Sequence, residues 1–186
     1  VNYKTDRSAL LPKPNEIDPH CLLLDGHEFE ASIAAITNYG AVPSLLDAGS
    51  LREETKELAT QVTHLVASST FAKGLAESEN VSDWIKRLAE LAPFVAVTAG
   101  AQGVYWQSKD GTQGSIKAAS VEVVDTTAAG DIFHGACALA IAKWKSFQTS
   151  LAWANEVAGV SVTRKGGRAS SPALSEVPIL DSVHLT

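Results

Sequence analysis

Short apolar runs alternate along the chain with longer stretches whose apolar positions recur every three or four residues. The run Cys21-Leu22-Leu23-Leu24-Asp25 predicts a buried strand that stops at a glycine. Over residues 28–39, Phe29, Ile33 and Ile36 share one helical face, and Gly40 stands where a C-terminal cap glycine would. Residues 42–47 predict the next strand, 51–61 a helix, and 64–67 another short strand. Between residues 78 and 91, Trp84, Ile85, Leu88 and Leu91 fall on one face, and Pro93 ends that helix. Each unit reads strand, helix, strand, which predicts an α/β protein with a mainly parallel sheet flanked by helices.

The pattern changes after residue 94. Residues 94–98 read as a strand. Residues 103–107 and 113–117 flank Asp110-Gly111, a hairpin turn signal, and 121–124 form a third short run. These predict an antiparallel insert beside the sheet. Two helices rich in small residues follow, over about 130–145 and 147–164, and a last helix is expected near 173–180.

The 186 residues suffice for one domain with a real core, and no internal repeat or linker divides them. A net charge of −6 and a pI near 5.3 argue against binding nucleic acid or an anionic membrane surface. No apolar run approaches the roughly 18 residues that span a bilayer, and no signal-peptide core follows Val1. Cys21 and Cys137 form neither a disulfide framework nor a zinc spacing and read as small core residues, which suits a cytoplasmic setting. The five histidines show no metal-ligand spacing, and the four tryptophans read as packing residues. The chain starts with Val and contains no Met, so either its start was processed or it is a fragment.

The chemically informative segment is Val123-Val124-Asp125-Thr126-Thr127-Ala128-Ala129-Gly130-Asp131-Ile132-Phe133-His134-Gly135-Ala136. A β-run ends at Asp125, small residues follow, and a helix starts near Gly130. The first amides of a helix have no intrahelical partner, and the helix dipole adds positive potential there. Ala128, Ala129 and Gly130 leave those amides uncovered, which makes an anion site suited to phosphate. Asp131 in the same turn is a good helix-start residue on structural grounds alone, and helix physics by itself favours that reading. It also stands where it could take a proton from an attacking hydroxyl. No P-loop string occurs. Asp25-Gly26-His27, at a strand end, reads as a turn or as a ligand contact. Arg164, Lys165 and Arg168 read as a solvated basic loop or as part of a site.

Asp125-Thr126-Thr127-Ala128-Ala129-Gly130-Asp131 resembles the D-T-x-[AG]-[AG]-G-D signature of the ribokinase, or PfkB, carbohydrate kinases. Phe133-His134-Gly135-Ala136 is similar to their F-N-G-A, with His in place of Asn. Val162-Thr163-Arg164-Lys165-Gly166-Gly167 resembles V-T-R-K-G-A, and Thr98-Ala99-Gly100-Ala101-Gln102-Gly103 resembles T-x-G-x-x-G. The three segments come in the family's order. The resemblance implies a ribokinase-like fold and phosphoryl transfer from ATP to a sugar hydroxyl. It makes the amides of Ala128, Ala129, Gly130 and Asp131 an anion hole and Asp131 the general base. It places Thr98, Gly100 and Gly103 along the nucleotide phosphates and ribose, and Asn155 beside the adenine. It also implies a monovalent cation, potassium by its oxygen-only ligation, at Asp125, Thr127, Ser161, Arg164, Gly166 and Ser170.

Three departures matter. The family's N-x-x-E, which organises the magnesium-linked water, matches Ser68-Ser69-Thr70-Phe71, which has neither Asn nor Glu. Magnesium is still expected with ATP, without a named protein ligand. His134 reads as a surface or packing residue. Family chains also begin with a large segment that carries much of the sugar site and a small β-lid. Residues 1–186 are thus expected to be the C-terminal portion of one such domain, with 1–14 the tail of the lid region and little activity alone. A homodimer through the missing lid stays open. The rival readings are a nucleoside kinase of the same family and a non-catalytic nucleotide- or sugar-binding regulator.

Overall fold

The computed structural model describes residues 16–180. A six-stranded sheet runs in chain order: β1 (Leu22–Leu24), β2 (Ser44–Ala48), β3 (His64–Ser68), β4 (Phe94–Thr98), β5 (Val104–Gln107) and β6 (Gln113–Ile116). The first four strands are parallel, and β5 and β6 turn back antiparallel. The hairpin is therefore the far edge of the sheet itself rather than an insert beside it. Its turn runs from Ser108 to Thr112, with Gly111 N–H donating to Ser108 O (2.9 Å) and Gly111 at φ +84°. That is the position where a three- to five-residue hairpin loop wants glycine.

Alternation along the strands separates two cores. Leu45, Val66 and Ala96 face one way with Val104 and Trp106, against α5 (Ala129–Ala142) and α6 (Phe147–Ser161). Leu46, Ala48, Leu65, Ala67, Val95 and Val97 face the other way, against α1 (Phe29–Asn38), α2 (Glu53–Ala59), α3 (Ser69–Ala76) and α4 (Val81–Ala89). The result is a helix–sheet–helix sandwich in which every parallel strand ends at one edge. Among the described residues no helix is long and apolar enough to cross a membrane.

The structure corrects three expectations. Residues 121–124 form no strand: Val121, Val123 and Val124 are exposed, and the Val124 and Asp125 amides donate to Val162 O at the end of α6 (2.8 and 3.2 Å). Residues 173–180 hold only a 3-10 turn, Leu174–Glu176, because Pro178 cannot continue a helical ladder. In its place stands α7 (Gly167–Ser170). Trp84, Trp106 and Trp153 are buried, but Trp144 is 79% exposed. Helix α3, which the apolar spacing did not predict, follows β3 directly. Ser68, the last residue of β3, caps it by accepting from Phe71 N–H (3.0 Å). The lid-tail expectation for 1–14 lies outside the described residues.

His64 sits at the start of β3, stacked on Phe94 with ring centroids 4.6 Å apart. Burial pushes its imidazole down to about 4 from the usual 6.5. Above pH 6.5 the folded and unfolded chains are both neutral there. As pH falls from 6.5 to 4 only the unfolded chain takes up the proton, so stability is lost across that window, by about 3 kcal/mol. Denaturant unfolding at pH 7 and pH 4 should show this loss in the wild type and a smaller one in His64→Phe. Equal losses in the two proteins would show that His64 does not carry it.

Candidate active site

The C-terminal ends of the parallel strands bring Asp25, Asp47, Ser68 and Thr98 to one edge of the sheet. Such an edge is where open α/β sheets hold their ligands. A cleft of about 500 Å³ opens there, between β1, β2, α1 and the start of α5, and its lining includes Asp25, Glu28, Asp47, Asp131 and His134. Burial raises the Asp47 carboxyl above its usual range; Asp131 and Asp25 push the same way, and His134 opposes them.

The loop before α5 is built around one carboxylate. Asp125 Oδ1 accepts from Thr127 N–H (2.9 Å) and Thr127 Oγ1 (2.7 Å), and Oδ2 accepts from Gly166 N–H (2.9 Å). Those bonds, Gly166 first, hold the Asp125 carboxyl down at about 2. The chain then passes through Ala128 at φ +61°, a left-handed conformation that a non-glycine residue adopts at some cost, and enters α5. Ile132 N–H donates to Ala128 O (2.9 Å), closing the first helical turn. The amides of Gly130 and Asp131 therefore precede the helical ladder. Ala129 N–H differs from the expectation, because it is taken by Thr126 O (3.1 Å). A Cβ added to Gly130 would meet nothing within 4 Å, so the approach to these amides is open. Asp131 is exposed in the same turn and also borders a second cleft, beside Gly167, Arg168 and Trp153.

The residues expected around a monovalent cation fall on two loops that touch. Asp125 and Thr127 lie before α5; Ser161, Arg164, Gly166 and Ser170 lie at and after the end of α6. A Cβ on Gly167 would sit 3.4 Å from Ala128 Cβ and 3.5 Å from Thr127 Cγ2. The side chains there are tied into the two loops by hydrogen bonds. Ser161 and Ser170 hydroxyls donate to Ala158 O and Gly167 O (both 2.8 Å), and the Arg164 guanidinium bridges Glu176 (2.7 and 3.2 Å). The hydroxyl lone pairs, backbone carbonyls and ionised carboxylate there form an oxygen-only donor set, which fits a hard monovalent ion. A magnesium site does not fit in the same way. Ser68 Oγ donates to Gly49 O (2.7 Å) and caps α3, and among the described residues no group of three His, Cys, Asp or Glu could hold a metal.

Among the residues inferred from T-x-G-x-x-G, Gly103 has a packing reason of its own. Thr98 ends β4, with Oγ1 3.4 Å from Ala67 O. Gly100 opens a 3-10 turn at φ +54° in open space. Gly103 lies at φ +86°, and a Cβ there would fall 2.0 Å from Ile116 O and 2.7 Å from Ala118 N. Asn155 is buried, and its Nδ2 donates to Lys117 O (3.0 Å), tying α6 to the chain after β6. The turn reading of Asp25 holds: its Oδ1 accepts from His27 N–H (3.0 Å) in a turn with Gly26 at φ +73°, and its side chain also lines the cleft.

Sequence reasoning missed Asp47, which only the ends of the parallel strands reveal; of its two readings of His134, surface or packing, burial at 4% exposure agrees with packing. The His134 ring faces Gly130 O, Val66 O and the Asp47 carboxylate.

A family model described as pfkB family carbohydrate kinase matches residues 24–174. A ribokinase of Schizosaccharomyces pombe is 38% identical over 104 residues, 55% of this chain and 33% of that protein. A solved ribokinase of Thermotoga maritima superposes with a TM-score of 0.74 at 27% identity, covering 93% of this chain and 58% of the other. An Arabidopsis thaliana ribokinase solved with ribose and ATP gives 0.76 at 24% identity, covering 89% and 56%, a likeness of fold. The chain thus spans between a third and somewhat more than half of these proteins' lengths.

Replacing Gly103 with Ala should destabilise the protein by about 3 kcal/mol or more, since the new methyl meets backbone atoms on the opposite strand's exit. Urea unfolding would show a lower midpoint at unchanged slope. A loss under about 1 kcal/mol would mean that the turn shifts freely.

Proposed function

The chain belongs to the pfkB family of carbohydrate kinases, and on that premise we propose that it carries the phosphoryl-transfer centre of an enzyme that phosphorylates a sugar hydroxyl with ATP. One observation carries the reading: Asp131, which lines the cleft at the strand ends, shares the first turn of α5 with the open amides of Gly130 and Asp131. Asp131 accepts the proton of the attacking hydroxyl. The two amides and the helix dipole offset charge on the transferring phosphoryl group, which such reactions need more than covalent help. The T-x-G-x-x-G turn and the chain beside Asn155 form the nucleotide side. Potassium would lie against the carbonyl-rich loops near Asp125 and strengthen the positive field there. Magnesium would arrive with ATP.

The cleft lining has several carboxylates and, among the described residues, no lysine or arginine. That favours an uncharged polyol over a sugar phosphate as acceptor. The matched relatives are longer than their match, so we place the other wall of the acceptor site in sequence outside this chain. Assays therefore belong on the full-length protein.

Asp131→Asn should keep the fold and ATP binding and lower kcat about 10²–10⁴-fold. Near-normal turnover would remove Asp131 from the base role, and a wild type without turnover on any sugar or nucleoside would favour a binding regulator. If the cation site holds, wild-type turnover should be faster in potassium than in tetramethylammonium at equal ionic strength. Equal rates would remove potassium from the assignment.

A further inference from the structure

We propose that His134 carries a proton on both ring nitrogens and acts, as a buried cation, as a positioning residue that orients the Gly130–Asp131 peptide. Its functional consequence rests on the phosphoryl-transfer reading above; its protonation state does not.

The argument is one of donors and acceptors. Nδ1 lies 2.7 Å from Gly130 O and 3.2 Å from Asp47 Oδ2, and Nε2 lies 3.1 Å from Val66 O. Carbonyl and carboxylate oxygens only accept. A neutral imidazole has one N–H and one bare lone pair, so either tautomer would turn that lone pair onto an acceptor oxygen. The side chain is 5% exposed, and water has little room to relieve the conflict. The doubly protonated ring satisfies both sides, and the Asp47 carboxylate supplies the opposite charge. The other titratable groups around this point are Asp131 on α5, Asp25 and His27 after β1, and Glu28 at the start of α1. β3 offers the Val66 carbonyl, and Phe133 offers its ring, 5.8 Å away between centroids.

The grip has a direct link to the anion site. The carbonyl of Gly130 and the N–H of Asp131 belong to one planar trans peptide and point in opposite directions. A cation holding that oxygen fixes the plane and polarises the unit, so the Asp131 N–H points at the phosphate position as a stronger donor. The same ring fastens the first turn of α5 to β2 and β3. His134 touches no reacting atom and works through that peptide.

The test uses full-length protein labelled with 15N at histidine. At pH 7 both His134 ring nitrogens should show the shifts of N–H groups; a bare-nitrogen shift on either one overturns the proposal, whatever the protein's activity. His134→Leu should lower kcat about tenfold or more while the KM for ATP changes less than about threefold. As pH rises and the 15N shifts report loss of the second proton, wild-type kcat should fall in step, and that fall should be missing in His134→Asn. Superimposable kcat profiles for wild type and His134→Asn would end the positioning role. If His134→Leu does not fold, the wild-type spectrum and the Asn profile still decide. A wild type with no phosphoryl transfer would sink the kinase reading and the positioning role with it, while the spectrum judges the protonation alone.

Discussion

The site depends first on the Asp125 carboxylate. Two loops, one entering α5 and one leaving α6, have no sheet or helix to hold them together. Asp125 joins them by accepting from Thr127 on its own loop and from Gly166 on the other. That clamp, together with the Val124 and Asp125 amides on Val162 O, holds the loop that carries the left-handed turn at Ala128 against the end of α6. Hydrogen bonds to an ionised acceptor are about twice as strong as neutral ones. The strain at Ala128 is therefore held by the interactions best able to hold it.

The second constraint is electrostatic. Parallel strands end together, so their terminal side chains crowd, and here Asp25 and Asp47 crowd with Asp131. Like charges in a half-buried cleft repel and favour protonation, which would disarm a base. The two carboxylates differ in setting: Asp131 is exposed in the first turn of α5, and Asp47 lies half-buried against His134. The arrangement separates an exposed carboxylate at the start of α5 from a half-buried one on the floor of the cleft.

Most of the fold was legible because burial writes itself into periodicity. The strand at 94–98 and the α4 face of Trp84, Ile85 and Leu88 were readable from apolar spacing alone. Helix α3 was not, because it starts directly from β3, and Gly74 inside it mimics a break. A Cβ there would press on the tip of the exposed Leu51 side chain at 2.9 Å. Residues 121–124 misled in the opposite direction, being apolar yet exposed and bonded to the end of α6. In the site, the small residues before α5 were readable because only small side chains leave amides open. The partners of His134 were not: Val66 is 68 positions away, and its contribution is a backbone carbonyl, which has no sequence signature.

The same distinction separates the motif residues into two kinds. Gly130 is a glycine facing empty space, so nothing in the fold forbids a side chain there, and its bareness makes sense as room for a ligand. Gly103 is a glycine pressed against Ile116 and Ala118 at a positive φ, so the fold alone accounts for it. Asn155, which the resemblance set beside the adenine, spends its Nδ2 on Lys117 O and holds the α6 wall in place. A motif residue thus counts toward chemistry when the packed structure leaves it unexplained. By that measure the weight of the site falls on Gly130 and Asp131, while Gly103 and Asn155 shape the groove by holding its walls.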